Sequence, residues 1–355
     1  MNQQKVAWVV LIVVAVIAAA YLLKTGATPD PANTAWGAII AAALTGVVSV
    51  LLRGGVDEKI ERLKSELTTA RSEDDARREY EYEARKRLYS ECEPLIFQLR
   101  ELAENQMYRV YSLARSARLG RIQEDGTGWL SGGEGYYLES TVYNLLAPAV
   151  VFKIMQRRLT AVDMRLDPKI KALYLFAKQF YLAFSDDFTF ARTRPSLSSY
   201  DPEREGWKEL RIKSPGMVWK QGITWGRLDS AVESLVVSPE GQAERCMSFG
   251  EFQRAWRDKE KDLKARFEQA FDIFDRFHPR TRPVLWHMVI AQAVICAAII
   301  EAADSAATSP KLPRLDPEKV KWSTKQEDEA EMAQPLEVAV EYLKAQLPTV
   351  WAAGK

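Results

Sequence analysis

Residues 6–23 read VAWVVLIVVAVIAAAYLL and residues 35–52 read AWGAIIAAALTGVVSVLL; neither run contains a charged side chain. Eighteen helical residues at about 1.5 Å each span roughly 27 Å, close to the hydrocarbon thickness of a bilayer. The connector Lys24–Thr34 carries Gly26, Pro29 and Pro31, which suit a turn. Two such runs, followed by some 300 residues of mixed polar pattern, predict an N-terminal two-helix transmembrane hairpin over residues 1–53.

Orientation follows from the basic residues at the span ends. Lys5 precedes the first run, Lys24 sits in the connector, and Arg53, Lys59, Arg62 and Lys64 follow the second. The excess after residue 52 predicts a cytoplasmic body and, with two crossings, a cytoplasmic N-terminus at the cell (inner) membrane. Trp8, Tyr21 and Trp36 lie near the span ends, the depth that aromatic rings favour. Met1–Ala20 also has the small-residue end of a cleaved signal peptide. Its single basic residue and the leucines just beyond fit that reading poorly. Small residues recur at Ala15 and Ala19, and at Ala38, Ala42 and Gly46, spacings that let membrane helices approach closely. They are the candidate helix-packing positions, within one chain or between copies.

Beyond Gly54-Gly55, expected to break the helix, residues 54–93 form a highly charged stalk. Ile60, Leu63, Leu67 and Ala70 step by three, four and three, the rhythm of a coiled-coil seam. Asp74, Arg77 and Glu81 then occupy the seam, and a second stripe, Ala76, Tyr80, Ala84 and Leu88, takes over. Two heptads favour self-association only in combination with the spans, so the expected partners are membrane lipids, a second copy and an unidentified protein.

Residues 94–308 predict one mainly α-helical domain. Pro94 is expected to kink or restart the helix that carries Leu95, Leu99 and Leu102. The glycine-dense stretch 120–135 contains Leu130-Ser131-Gly132-Gly133-Glu134, which resembles the signature peptide of ATP-binding-cassette ATPases. That chemistry also needs a G-x-x-x-x-G-K-[ST] loop to cradle phosphates, and the chain has none. A surface loop is the reading that remains. Helical spacing resumes at Tyr136, with Pro148 as an expected bend. It continues after Asp167-Pro168 through Ile170, Leu173, Phe176, Phe180 and Phe184.

Residues 193–222 are irregular; Leu210–Lys213 and Met217–Lys220 flank Ser214-Pro215-Gly216 as a small β-hairpin insertion, a lid or partner-binding loop by its length. A short helix is expected over Trp225–Val237. Ser248 and Glu251 read as a capping box opening about seven turns marked by Phe252, Trp256, Leu263, Phe267, Phe271 and Phe274. Residues 284–300, VLWHMVIAQAVICAAII, read either as a third span or, at lower cost for His287 and Gln292, as the central helix of the body. A proline-rich linker opens residues 309–355, and an amphipathic helix around Leu336, Val340, Leu343 and Leu347 closes them.

Composition narrows the function classes. Lys and Arg total 49 against 48 Asp and Glu, a balance that gives no basic excess for nucleic acid. Cys92, Cys246 and Cys296 are too far apart in sequence for a C-x-x-C motif, and His278 and His287 are the only histidines, so neither a disulfide scaffold nor a metal site is indicated. No cofactor motif is present. The sequence therefore predicts a non-enzymatic, membrane-tethered binding or regulatory protein, a sensor or scaffold. A membrane-perturbing effector, whose body senses a trigger while its spans assemble, is the alternative. An enzyme built from scattered Glu134, Asp186, Asp187 and His287 is the third reading.

Overall fold

The computed structural model describes residues 13, 14, 17, 31–124, 128, 130, 135–161, 163–192, 221–258, 261–275, 277–304, 315–348 and 350, and it is mainly helical. Two compact units are present, residues 1–81 and 82–355. Most of the first apolar run, with Ala15 and Ala19, lies outside the described residues, as does the hairpin turn. Over 31–58 only the backbone is described, apart from exposed Ala42 and Gly46, so Ala38 is placed on a helix and no further.

That helix, α1, runs Pro31–Arg118 without interruption. Neither Gly54-Gly55 nor Pro94 breaks it, contrary to expectation. An interior glycine costs a helix only about 1 kcal/mol, and the Glu, Lys, Arg and Leu that follow are strong helix formers. Around Pro94, burial of Leu88, Cys92, Leu95 and Leu99 outweighs one lost backbone bond. From residue 59 to 80 its side chains are exposed, with i,i+4 pairs Arg62–Glu66 and Arg77–Glu81 along the surface. Packing in the body begins at Leu88, so the last turns of the expected 54–93 stalk belong to the domain. The helix stops where Gly120 takes φ +68° and the amides of Gly120 and Arg121 close back on Ala117 and Ser116.

Helix α2 (Tyr136–Arg158) starts at Gly135, φ +78°, and runs on through Pro148. Asp167 then caps α3 (Pro168–Ala183) by accepting from the amides of Lys169 and Ile170, with Pro168 at the first helical position. A six-residue helix, α4 (Asp187–Arg192), follows. The β-hairpin expected at 210–220 lies outside the described residues.

Helix α5 (Trp225–Glu233) ends four residues early. Val236–Val237 (β1) instead pairs antiparallel with Arg245–Cys246 (β2), Val236 opposite Cys246. β-Branched valines favour this extended backbone once the helix is capped. The seven-turn aromatic helix is in fact two: α6 (Phe249–Arg257) and α7 (Lys261–Phe274). Residues 257–262, RDKEKD, offer no apolar side chain to hold a helix against the body. The stripe itself packs as read, Trp256 stacking on Phe271 at 4.1 Å and Phe252 meeting Phe267 at 5.2 Å.

The centre is α8 (Pro283–Asp304), packed on α3, α4 and α10 (Glu329–Gln346). It is long and apolar enough to cross a membrane, yet 83% of its most apolar window is buried. Protein side chains enclose it, as the core-helix reading requires. Short α9 (Pro317–Val320) and α10 close the fold, and α10 faces inward through Met332, Pro335, Ala339, Tyr342 and Leu343. Of the expected line, Leu343 and Leu347 are buried while Leu336 and Val340 lie half-buried at its edge.

Candidate functional site

The site begins at the corner after α3. Asp186 ends the turn: its carbonyl accepts from the Thr189 and Phe190 amides, and its Oδ1 accepts from Thr189 Oγ1 at 2.9 Å. Those bonds start α4 and set Phe190 into the core. From the far end of the chain, α10 lays Tyr342 against Phe190, ring centroids 4.6 Å apart. The Tyr342 hydroxyl donates to Asp186 Oδ2 at 2.8 Å and accepts from Gln179 Nε2. Burial first, and the neighbouring Asp186 carboxylate second, push this phenol far up in pKa, so it stays a neutral hydrogen-bonding strut.

Between α4 and α10 this contact leaves a groove of about 370 Å³, lined by Thr189, Phe190, Val338, Tyr342, Ala345 and Gln346. A groove this size is at the small end of ligand sites. Its floor is largely apolar, because the Tyr342 and Thr189 hydroxyls are both bonded to Asp186 and Phe190, Val338 and Ala345 supply the rest. Its rim is acidic: Glu337 and Glu341 stand one turn apart, and Lys344 Nζ reaches Glu341 at 2.7 Å. Among the described residues no cation meets Glu337.

The same corner fixes the return of the chain at residue 221. Ile223 N donates to the Phe184 carbonyl at 2.8 Å, Gly222 N to Asp187 Oδ2 at 3.4 Å, and Leu285 N to Gln221 Oε1 at 2.9 Å. A Cβ on Gly222 would lie 2.7 Å from the Phe184 carbonyl oxygen, so glycine is required for this close approach. The adjacent aspartates thus serve opposite sides: Asp186 turns to the groove and Asp187 inward to the chain return.

Other polar clusters hold elements together. Arg280 joins Asp328 and Glu124 and lies over Trp322, whose ring also meets His278 edge-on at 5.7 Å. His278 Nδ1 accepts from Arg280 N at 3.1 Å, and burial lowers the imidazole pKa. Lys153 pairs with Asp229 above the Tyr181 ring, and the Tyr181 hydroxyl donates to the same carboxylate at 3.0 Å. Burial raises the Cys92 thiol to about 11 and the Cys246 thiol to about 12, keeping both protonated at neutral pH. Cys296, also buried and free, is raised for the same reason.

Of the residues singled out by sequence, Ile60, Leu63 and Leu67 are exposed on α1 at 43, 56 and 59%, with Ala70 exposed alongside, an uncovered seam in the single chain. Glu134 lies outside the described residues. Asp187 and His287 fall on adjoining helices, α4 and α8, and His287 is buried within the core. Among the described residues no three His, Cys, Asp or Glu side chains assemble as metal ligands. The groove was not anticipated; its one sequence signal is Glu337 and Glu341 beside Tyr342, a pairing ordinary on any amphipathic helix. No protein-family model, no curated protein and no solved structure matches the chain.

Proposed function

We propose that the chain is a membrane-tethered binding or regulatory protein. The hairpin of residues 6–23 and 35–52 anchors it, the stalk pairs it with a second copy through Ile60, Leu63, Leu67 and Ala70, and the cytoplasmic helical body engages a protein partner at the α4–α10 groove. One observation carries the membrane part of this reading. The body encloses its own most apolar helix, α8, with its own side chains. The two uncharged N-terminal runs then remain as the segments whose composition calls for lipid. The groove supports the binding part, since it joins a largely apolar floor to a charged rim and the Tyr342 hydroxyl beneath it is already bonded. Pull-down of the full chain from solubilised membranes, with copy number read by native mass spectrometry, tests both parts. Recovery as a soluble monomer without partner contradicts them.

A second reading, a membrane-perturbing effector, is favoured by Ala42 and Gly46. Both are exposed on α1, and a Cβ built at Gly46 meets nothing within 4 Å. Toxicity on expression that disappears in the Ala38→Leu, Ala42→Leu, Gly46→Leu triple variant supports it. Unimpaired growth at high expression in the presence of a candidate trigger counts against it.

A further inference from the structure

We infer that the α4–α10 groove takes a basic amphipathic peptide segment: one aromatic or long aliphatic side chain seats on Phe190 and Tyr342, and a neighbouring lysine or arginine is held between Glu337 and Glu341. This rests on the binding reading above and names the chemistry of the partner.

Three features set the class. The first is volume. About 370 Å³ accommodates a large anchor side chain with room for part of a neighbour, so the site grips an anchor and not a whole helix. The second is the state of the floor. The Tyr342 hydroxyl both donates to Asp186 and accepts from Gln179, and the Thr189 hydroxyl donates to Asp186. Phe190, Val338 and Ala345 make the remaining floor apolar, so a polar side chain seated there would give up water for few partners. The anchor is therefore apolar.

The third is charge. Glu337 and Glu341 stand four residues apart on one helix face, a like-charge pair that repels. Lys344 answers Glu341 from the exposed side, while Glu337 has no cation among the described residues. A lysine or arginine beside the anchor relieves that repulsion. The same carboxylates repel the phosphate of an anionic phospholipid, which argues against an acyl chain as occupant even for a protein that works at a membrane.

The test uses the full chain in a non-ionic maltoside and three fluorescein-labelled hexapeptides, KKWLKK, EEWLEE and KKSGKK, followed by anisotropy. The expected result is binding of KKWLKK at least about tenfold tighter than either twin, weakened by raising salt. Ala345→Trp fills the groove from an exposed helix position, and the Glu337→Gln, Glu341→Gln double variant removes the charge without changing size. Each is expected to weaken KKWLKK about tenfold or more at an unchanged thermal midpoint. Equal affinity for the three peptides, or undiminished binding by both variants, overturns the proposal. So does displacement of KKWLKK by phosphatidylglycerol vesicles but not by unlabelled KKWLKK. A membrane partner retained by the Gln double variant yet lost with Ala345→Trp overturns the cation requirement while leaving the groove as a binding site.

Discussion

Replacing Ile295 by alanine separates a helix that packs in protein from one that faces lipid. Ile295 sits at 0% exposure in the middle of α8, with α3, α4 and α10 around that helix. The change deletes three carbons, worth about 2.4 kcal/mol at roughly 0.8 kcal/mol each. Neighbours relax only in part, and a residual void of about 50 Å³ adds about 1.2 kcal/mol at 24 cal/mol per Å³. The total, about 3.6 kcal/mol, lies within the range of about 2–5 kcal/mol seen for buried aliphatic truncations. For a domain of this size about 1 kcal/mol moves the midpoint by roughly 2–4 °C, so Tm falls by about 7–14 °C. Intrinsic tryptophan fluorescence of the full chain in detergent reads the transition, since Trp286 lies on the same helix and is buried. In a lipid-facing helix the truncated side chain would exchange one apolar neighbour for another and the midpoint would scarcely move. A shift below about 2 °C refutes the enclosed-helix account.

Further outcomes follow from other sites. Ser248→Ala removes the hydroxyl that accepts from Glu251 N, and a lost N-cap costs about 1 kcal/mol. Tm is expected to drop by about 2–4 °C and to recover largely in Ser248→Asp. His278 is pressed below its ordinary pKa by burial, with Arg280 and Lys325 lowering it further and Glu124 and Asp328 opposing. Its folded pKa lies under the unfolded value of about 6.5, so the unfolded chain takes the proton first as pH falls. The stability contribution is therefore whole above about pH 6.5 and is lost as pH drops through the folded pKa. Tm measured from pH 7.5 to 5 should decline, and less steeply in His278→Asn, where the amide oxygen still accepts from Arg280 N; parallel slopes would count against this role. Leu63→Lys with Leu67→Lys puts two charges on the exposed seam of the stalk. Native mass spectrometry should show fewer copies per particle, whereas an unchanged copy number removes the stalk from the assembly.

Much of the helical plan is written in local chemistry. Asp167-Pro168 supplies a cap and a first-turn proline, Ser248 with Glu251 supplies both halves of a capping box, and each sits where the structure starts a helix. The run 284–300 is apolar apart from His287 and Gln292, which by composition suits lipid or a protein core; its burial within the body decides for the core. Where the neighbours of a residue outweigh its own propensity the reading failed. Gly54-Gly55 and Pro94 are helix breakers by type, yet α1 passes through all three. Trp256 and Leu263 keep the seven-residue spacing of one helix although the backbone between them breaks. The groove was illegible for a different reason. It joins Phe190 to Tyr342, 152 residues apart, and only the packing of α10 across α4 brings that ring pair together. No local pattern encodes such a meeting.

Chemical labelling tests the membrane account most directly. The native thiols Cys92, Cys246 and Cys296 are all buried, and burial raises each pKa, which leaves the folded chain nearly silent towards maleimides. Lys344→Cys places one reactive thiol on the exposed side of α10. With residues 6–23 and 35–52 in the bilayer and the body in the cytosol, a membrane-impermeant maleimide leaves this thiol unlabelled in intact expressing cells. It labels the thiol fully once they are permeabilised, while the protein pellets with membranes in alkaline carbonate. Labelling in intact cells, or release of the chain into the carbonate supernatant, contradicts the account.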